Sequence, residues 1–134
     1  MQNDQPLADL PQSFRHEHAQ LITAGITTWI ALKHLDDKQL NHLAKDSLAT
    51  IRNLKRLRGI AALVCDLKLN PADAALLVHS GLATTKALAA ANPDDVVSQT
   101  GRLQRQLNSN QQSLVNLVIA KKWIKLAQAR QLQN

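Results

Sequence analysis

The sequence predicts an all-α fold, a compact helical domain, from its composition, its punctuation and its periodicity. Apolar residues reach 45% of the 134 positions, enough for a core, yet aromatic residues are only 2% and tyrosine is absent. Glycine and proline number four each, too few for the many turns of a sheet protein. Apolar side chains recur at intervals of three and four, the period of a helix face. A frayed end is expected over 1–8 and a single all-α domain over 9–130.

The first helix is expected over about residues 15–24. Gly25 stops it by taking a left-handed conformation just past the last turn. Thr28 then caps a short helix carrying Leu32, and Asp36 with Gln39 has capping-box spacing for the next. From Asp37 toward Leu67 the positions Leu40, Leu43, Leu48, Ile51, Leu54, Leu57, Ile60, Leu63 and Val64 form one apolar face. Gly59 marks a kink or break there, so one long helix and two shorter ones both fit. A helix from Pro71 to Ser80 ends at Gly81, Thr84 caps a short helix carrying Leu88, and Asn92, Pro93 and Asp95 open another. Ser109 and Gln112 have capping-box spacing and place the start of the last helix near Asn110. That helix is expected to bury Leu114, Leu117, Val118, Trp123, Leu126 and Ala127.

These elements repeat. At an offset of 56, Leu21-Ile22-Thr23-Ala24-Gly25-Ile26-Thr27-Thr28 lies beside Leu77-Val78-His79-Ser80-Gly81-Leu82-Ala83-Thr84, and Ala31, Leu32, Asp36 and Leu40 fall on Ala87, Leu88, Asn92 and Val96. The first unit spans about 10–45, the second about 66–101, and a closing helix about 110–130.

Leu69-Asn70-Pro71-Ala72-Asp73-Ala74-Ala75-Leu76-Leu77, followed by Ser80-Gly81-Leu82, Thr84, Leu88 and Asn92-Pro93-Asp94, resembles helix-hairpin-helix modules, and in particular a bacterial family of unknown function built from two such units. The closing Trp123-Ile124-Lys125-Leu126-Ala127 is similar to that family's Trp-Ile-x-x-Ala helix, and the resemblance covers about residues 10–128. It implies a tandem helix-hairpin-helix-like fold. DNA-gripping members of the wider group resemble one another in a Gly-x-Gly hairpin, where the missing Cβ lets backbone amides approach phosphate. Here the aligned positions are Lys68 and Asn70 in one unit and Gln12 and Phe14 in the other.

The formal charge of +6 is uneven, with −2 over residues 1–46 and +8 over 47–134. One basic block holds Arg52, Lys55, Arg56, Arg58 and Lys68; another holds Lys121, Lys122 and Lys125 among residues 101–134, which contain no acid. Such faces concentrate polyanions, so these eight residues are the candidate nucleic-acid contacts, read as nonspecific because the aromatic residues lie far in sequence from the first basic block and offer it no base stacking. The competing expectation is a protein-interaction or assembly module. Trp29, directly after the Thr28 cap, is either core or the exposed anchor of such a partner.

Catalysis is not expected. The sequence has no Gly-rich phosphate loop and no nucleophile elbow, and the pairs Asp36-Asp37 and Asp94-Asp95 stand at helix starts, where acids complement the dipole. His16 and His18 are two apart and face different ways on a helix, so neither metal nor cofactor is expected. Cys65 is read as a core residue of a cytoplasmic protein, and no apolar run reaches the length of a membrane span.

Overall fold

The computed structural model describes residues 5–8, 10, 12–106 and 115–132. The chain is all-α. A 3-10 turn at Gln12–Phe14 leads into α1 (Arg15–Thr23), α2 (Trp29–Lys33), α3 (Asp37–Ala44), α4 (Ile51–Leu67), α5 (Pro71–His79), α6 (Thr85–Ala89), α7 (Pro93–Gln106) and α8 (Leu117–Leu132), with no strand among the described residues.

The glycine stops form as their chemistry requires. Gly25 has φ 84° and Gly81 φ 93°. Behind them Ile26 N–H donates to Leu21 O and Leu82 N–H to Leu77 O, each at 2.8 Å, closing the same six-residue loop at both helix ends. Thr28 Oγ1 accepts from Ala31 N–H at 3.2 Å, and Thr84 Oγ1 accepts from Ala87 N–H at 3.0 Å. Asp36 and Gln39 make a reciprocal capping box, both bonds at 2.8 Å. The helices α1, α2 and α3 begin 56 residues before α5, α6 and α7.

The repeat also reaches further than its sequence match. Thr50 Oγ1 caps α4 by accepting from Asn53 N–H at 3.1 Å, and Asn116 Oδ1 caps α8 by accepting from Ile119 N–H at 2.9 Å, an offset of 66. At that offset buried Leu54, Leu57 and Ala61 fall on buried Ala120, Trp123 and Ala127. Helix α2 packs on α4 as α6 packs on α8, α3 on α4 as α7 on α8, and α1 on α3 as α5 on α7. Among the described residues each unit therefore has four α-helices, and the closing helix is the fourth of the second unit. α4 joins the units by packing on α5, α6 and α8.

Four expectations change. The segment from Asp37 to Leu67 breaks at 45–50, where Asp46 takes φ 56° and Ser47 Oγ donates to Leu43 O and Ala44 O; Gly59 lies inside α4. Leu48 and Ile51, expected in the core, are exposed at that break. The last helix begins at Leu117, since Val115 and Asn116 are not helical; the Ser109–Gln112 spacing and Leu114 lie outside the described residues. Finally, Gln5 and Leu7 are not frayed: Leu7 N–H donates to Thr27 O at 2.9 Å, Trp29 N–H donates to Gln5 O at 3.0 Å, and Leu7 is buried. Leu7 gains core burial, and the backbone of 27–29 gains partners it would otherwise lack.

Candidate binding surface

The predicted basic residues divide by what the fold does with them. Arg58 Nη1 donates to Leu35 O at 3.0 Å and its Nη2 pairs with Asp37 at 2.9 Å, so it pins the turn between α2 and α3 to α4. Its guanidinium is thus engaged inside the fold and not presented to a phosphate, unlike the sequence expectation. Arg56 is half-buried and its charge, after burial itself, helps hold His79 below the ordinary imidazole pKa. Arg52, Lys55 and Lys68 are exposed. Arg52 and Lys68 lie at opposite ends of α4, about 24 Å apart at 1.5 Å per residue, so the first block is not one patch. Lys68 takes φ 58° after the last turn of α4, a conformation glycine adopts more readily.

Trp29 is 1% exposed, packed in the core with Leu21, Leu32 and Leu57. It cannot anchor an external partner, and the exposed-anchor expectation is corrected: α2 turns the indole inward against α4.

The second block is a true cluster. Lys121, Lys122 and Lys125 are all exposed on α8, where with Val118, Leu126 and Ala129 they line a solvent-open hollow of about 490 Å³. Val118 is 75% exposed. The expected buried face of α8 is thus rotated: Ala120, Trp123, Ile124 and Ala127 are inside, while Leu117, Val118 and Leu126 face outward. The i, i+3, i+4, i+7 spacing of the buried set was present in the sequence, but with apolar residues on both sides of α8 the period alone selects neither.

The two blocks are related by the repeat. At the offset of 66, Ile51 falls on Leu117, Lys55 on Lys121 and Arg56 on Lys122. Ile51 is 39% exposed and Leu117 44%, so each unit presents an open apolar residue beside a lysine in the first two turns of its fourth helix. Two nearby ionic contacts belong to the scaffold: Asp66 on α4 takes Lys33 of α2 at 2.6 Å and Arg130 of α8 at 3.4 Å. Glu17, 1% exposed, accepts from Thr50 N–H at 2.8 Å and holds α1 to the start of α4. Among the described residues no three His, Cys, Asp or Glu side chains come together to hold a metal ion, and no helix is long and apolar enough to cross a membrane.

Comparison with curated proteins and with solved structures gives no match. The family described as Domain of unknown function (DUF4332) matches residues 11–131, which takes in both four-helix units with their surface lysines, and the chain belongs to that family.

Proposed function

We propose that the chain is a non-catalytic binding module of two helix-hairpin-helix-like units that engages an anionic partner through the fourth helix of each unit. The observation carrying this reading is the recurrence of an exposed apolar residue beside lysine at Ile51–Lys55 and Leu117–Lys121. A protein partner fits better than a nucleic acid. Phosphates gain from lysine but nothing from Val118 or Leu126, whereas a protein interface combines desolvated apolar contacts with a charged rim. The hairpin positions Lys68 and Asn70 also lack the glycines that let amides approach phosphate.

Nonspecific nucleic-acid binding is the second reading, favoured by exposed Arg52, Lys55 and Lys68. The two separate in one experiment: affinity capture from native lysate with and without nuclease, using wild type, Arg52→Glu/Lys55→Glu and Lys121→Glu/Lys122→Glu. Protein docking requires capture that survives nuclease and is lost with charge reversal. Capture abolished by nuclease, with duplex affinity falling steeply above about 50 mM salt, would establish the nucleic-acid reading instead.

A further inference from the structure

α4 and α8 occupy the same place in their units, yet they differ in what covers them. The side of α4 that carries Gly59 faces the second unit: a Cβ built there would stand 3.3 Å from Ala83 O and 3.6 Å from Val78 Cγ2. Next to Gly59, Ile60 and Leu63 are buried. The same side of α8 carries Lys125, Leu126 and Ala129 at the equivalent positions, and all three are exposed. The later turns of this helix face are closed in α4 and open in α8, while its first turns, at Arg52 and Lys55 as at Val118 and Lys121, are open in both.

The open face is not composed as an ordinary solvated one. Val118 and Leu132 stand out in water, and α8 contains no acid. Lys121 and Lys125 are four residues apart, where like charges oppose the helix instead of supporting it. Apolar residues on both sides of a helix are characteristic of one that is covered all round.

We propose that this face of α8 docks an acidic amphipathic helix of a partner protein, in the position that α5 takes on α4. The inference rests on the protein-docking reading above and adds the class of partner. The helical form follows from the repeat, because the equivalent surface of α4 already receives α5. The acidic character follows from charge: Lys125 stands where Gly59 admits bare backbone, and with Lys121 and Lys122 it presents three ammonium groups around an apolar floor. A partner helix with apolar residues one turn apart would meet Leu126 and Ala129 where α5 meets α4, and, reaching about two turns further toward the start of α8, Val118; carboxylates flanking that stripe would meet the lysines. A second copy of this chain is a poorer occupant. Its counterpart of α5 is α1, whose one acid, Glu17, is buried and already bonded to Thr50.

The test is selection of binders to the full chain from a displayed library of helix-forming peptides about sixteen residues long, varied among Leu, Glu, Lys and Gln at every position. Enriched peptides are expected to carry Leu at helix-face spacing with Glu beside it. Their affinity should fall at least about tenfold with Lys121→Glu/Lys125→Glu and with Val118→Asp, while Lys38→Glu/Lys45→Glu, a reversal of exposed charges at α3 away from both fourth helices, changes it less than about twofold. No enrichment, or binders without acids, or binders indifferent to Val118→Asp, would overturn the proposal. So would concentration-dependent self-association abolished by Val118→Asp, which would make a second copy the occupant. A marked fall in melting temperature for Val118→Asp would mean that the chain itself covers the face, with the same result. If lysate capture depends on these lysines but no acidic helix is selected, protein docking stands and only the partner class falls; if capture also ignores α8, both fall.

Discussion

Gly25 and Gly81 have no atom within 4 Å of the place a Cβ would take, so only backbone conformation restricts them. Gly81→Ala is therefore expected to cost about 1 kcal/mol or more through its positive φ alone, measurable by denaturant unfolding. Lys68 is the converse, a side chain held where glycine is at ease. Lys68→Gly should gain about 0.5–1 kcal/mol, and its effect on nucleic-acid affinity reads the predicted phosphate contact in the same variant. His79 supplies a pH dependence. Its ring stacks on Phe14 at 5.6 Å between centroids, and burial, then the charge of Arg56, lowers its pKa below 6.5. The fold favours the neutral ring, so the unfolded chain binds the extra proton; stability is complete above 6.5 and declines as pH falls through it. Melting temperature measured between about pH 7.5 and 5.5 should fall for the wild type and less so for His79→Phe, which keeps an aromatic ring against Phe14. The glycine stops and threonine caps were legible in the sequence because each is a contact between a residue and its own nearby backbone. The engagement of Arg58 was not, and Trp29 was legible only as a choice between core and surface, since both depend on what the rest of the chain brings to them.

Among elements, α4 shows why punctuation can mislead. Glycine inside a helix weakens it by about 1 kcal/mol, yet packing against Val78 and Ala83 keeps Gly59 helical, and the real break has neither glycine nor proline. Asp46 tolerates the left-handed conformation and Ser47 satisfies the last carbonyls of α3, two local features with no strong signature in sequence. Three helices meet at the carboxylate of Asp66, which is largely shielded from solvent. Asp66→Ala is expected to cost about 2 kcal/mol, because Lys33 and Arg130 lose their shared acceptor. A chemical denaturation series should show Lys33→Ala and Asp66→Ala to be less than additive. The lysines of α8 make no comparable contribution, and reversing Lys121 or Lys122, both exposed, should change stability by less than about 0.5 kcal/mol.

At the scale of the molecule, the repeat was visible in the sequence as three elements and not as four. The offset changes from 56 to 66 between α7 and α8, so a fixed-shift comparison loses the match just where Thr50 and Asn116 continue it. The remaining likeness between α4 and α8 lies in burial and capping more than in residue identity. The candidate surface was half legible for the same reason: its lysines are plain in composition, but their equivalence to Lys55 and Arg56 requires the fourth helices to be aligned. The joint between the units can be tested directly. Gly59→Leu would drive a side chain into the Ala83 backbone, and a loss of about 2 kcal/mol or more is expected, against a small gain or loss for Gly59→Ala at 3.3 Å.

The position of α4 also orders the opening of the fold. Helices of both units press on α4, whereas α8 is covered along one side by α6, α7 and α4 and bare along the other. Amide hydrogens of Leu57 to Val64 should therefore exchange with deuterium only when the whole chain unfolds, while those of α8 exchange through a partial opening of lower free energy. Slowed exchange confined to α8 would then serve as a footprint of occupancy, since a ligand that binds only the closed form raises protection where it sits.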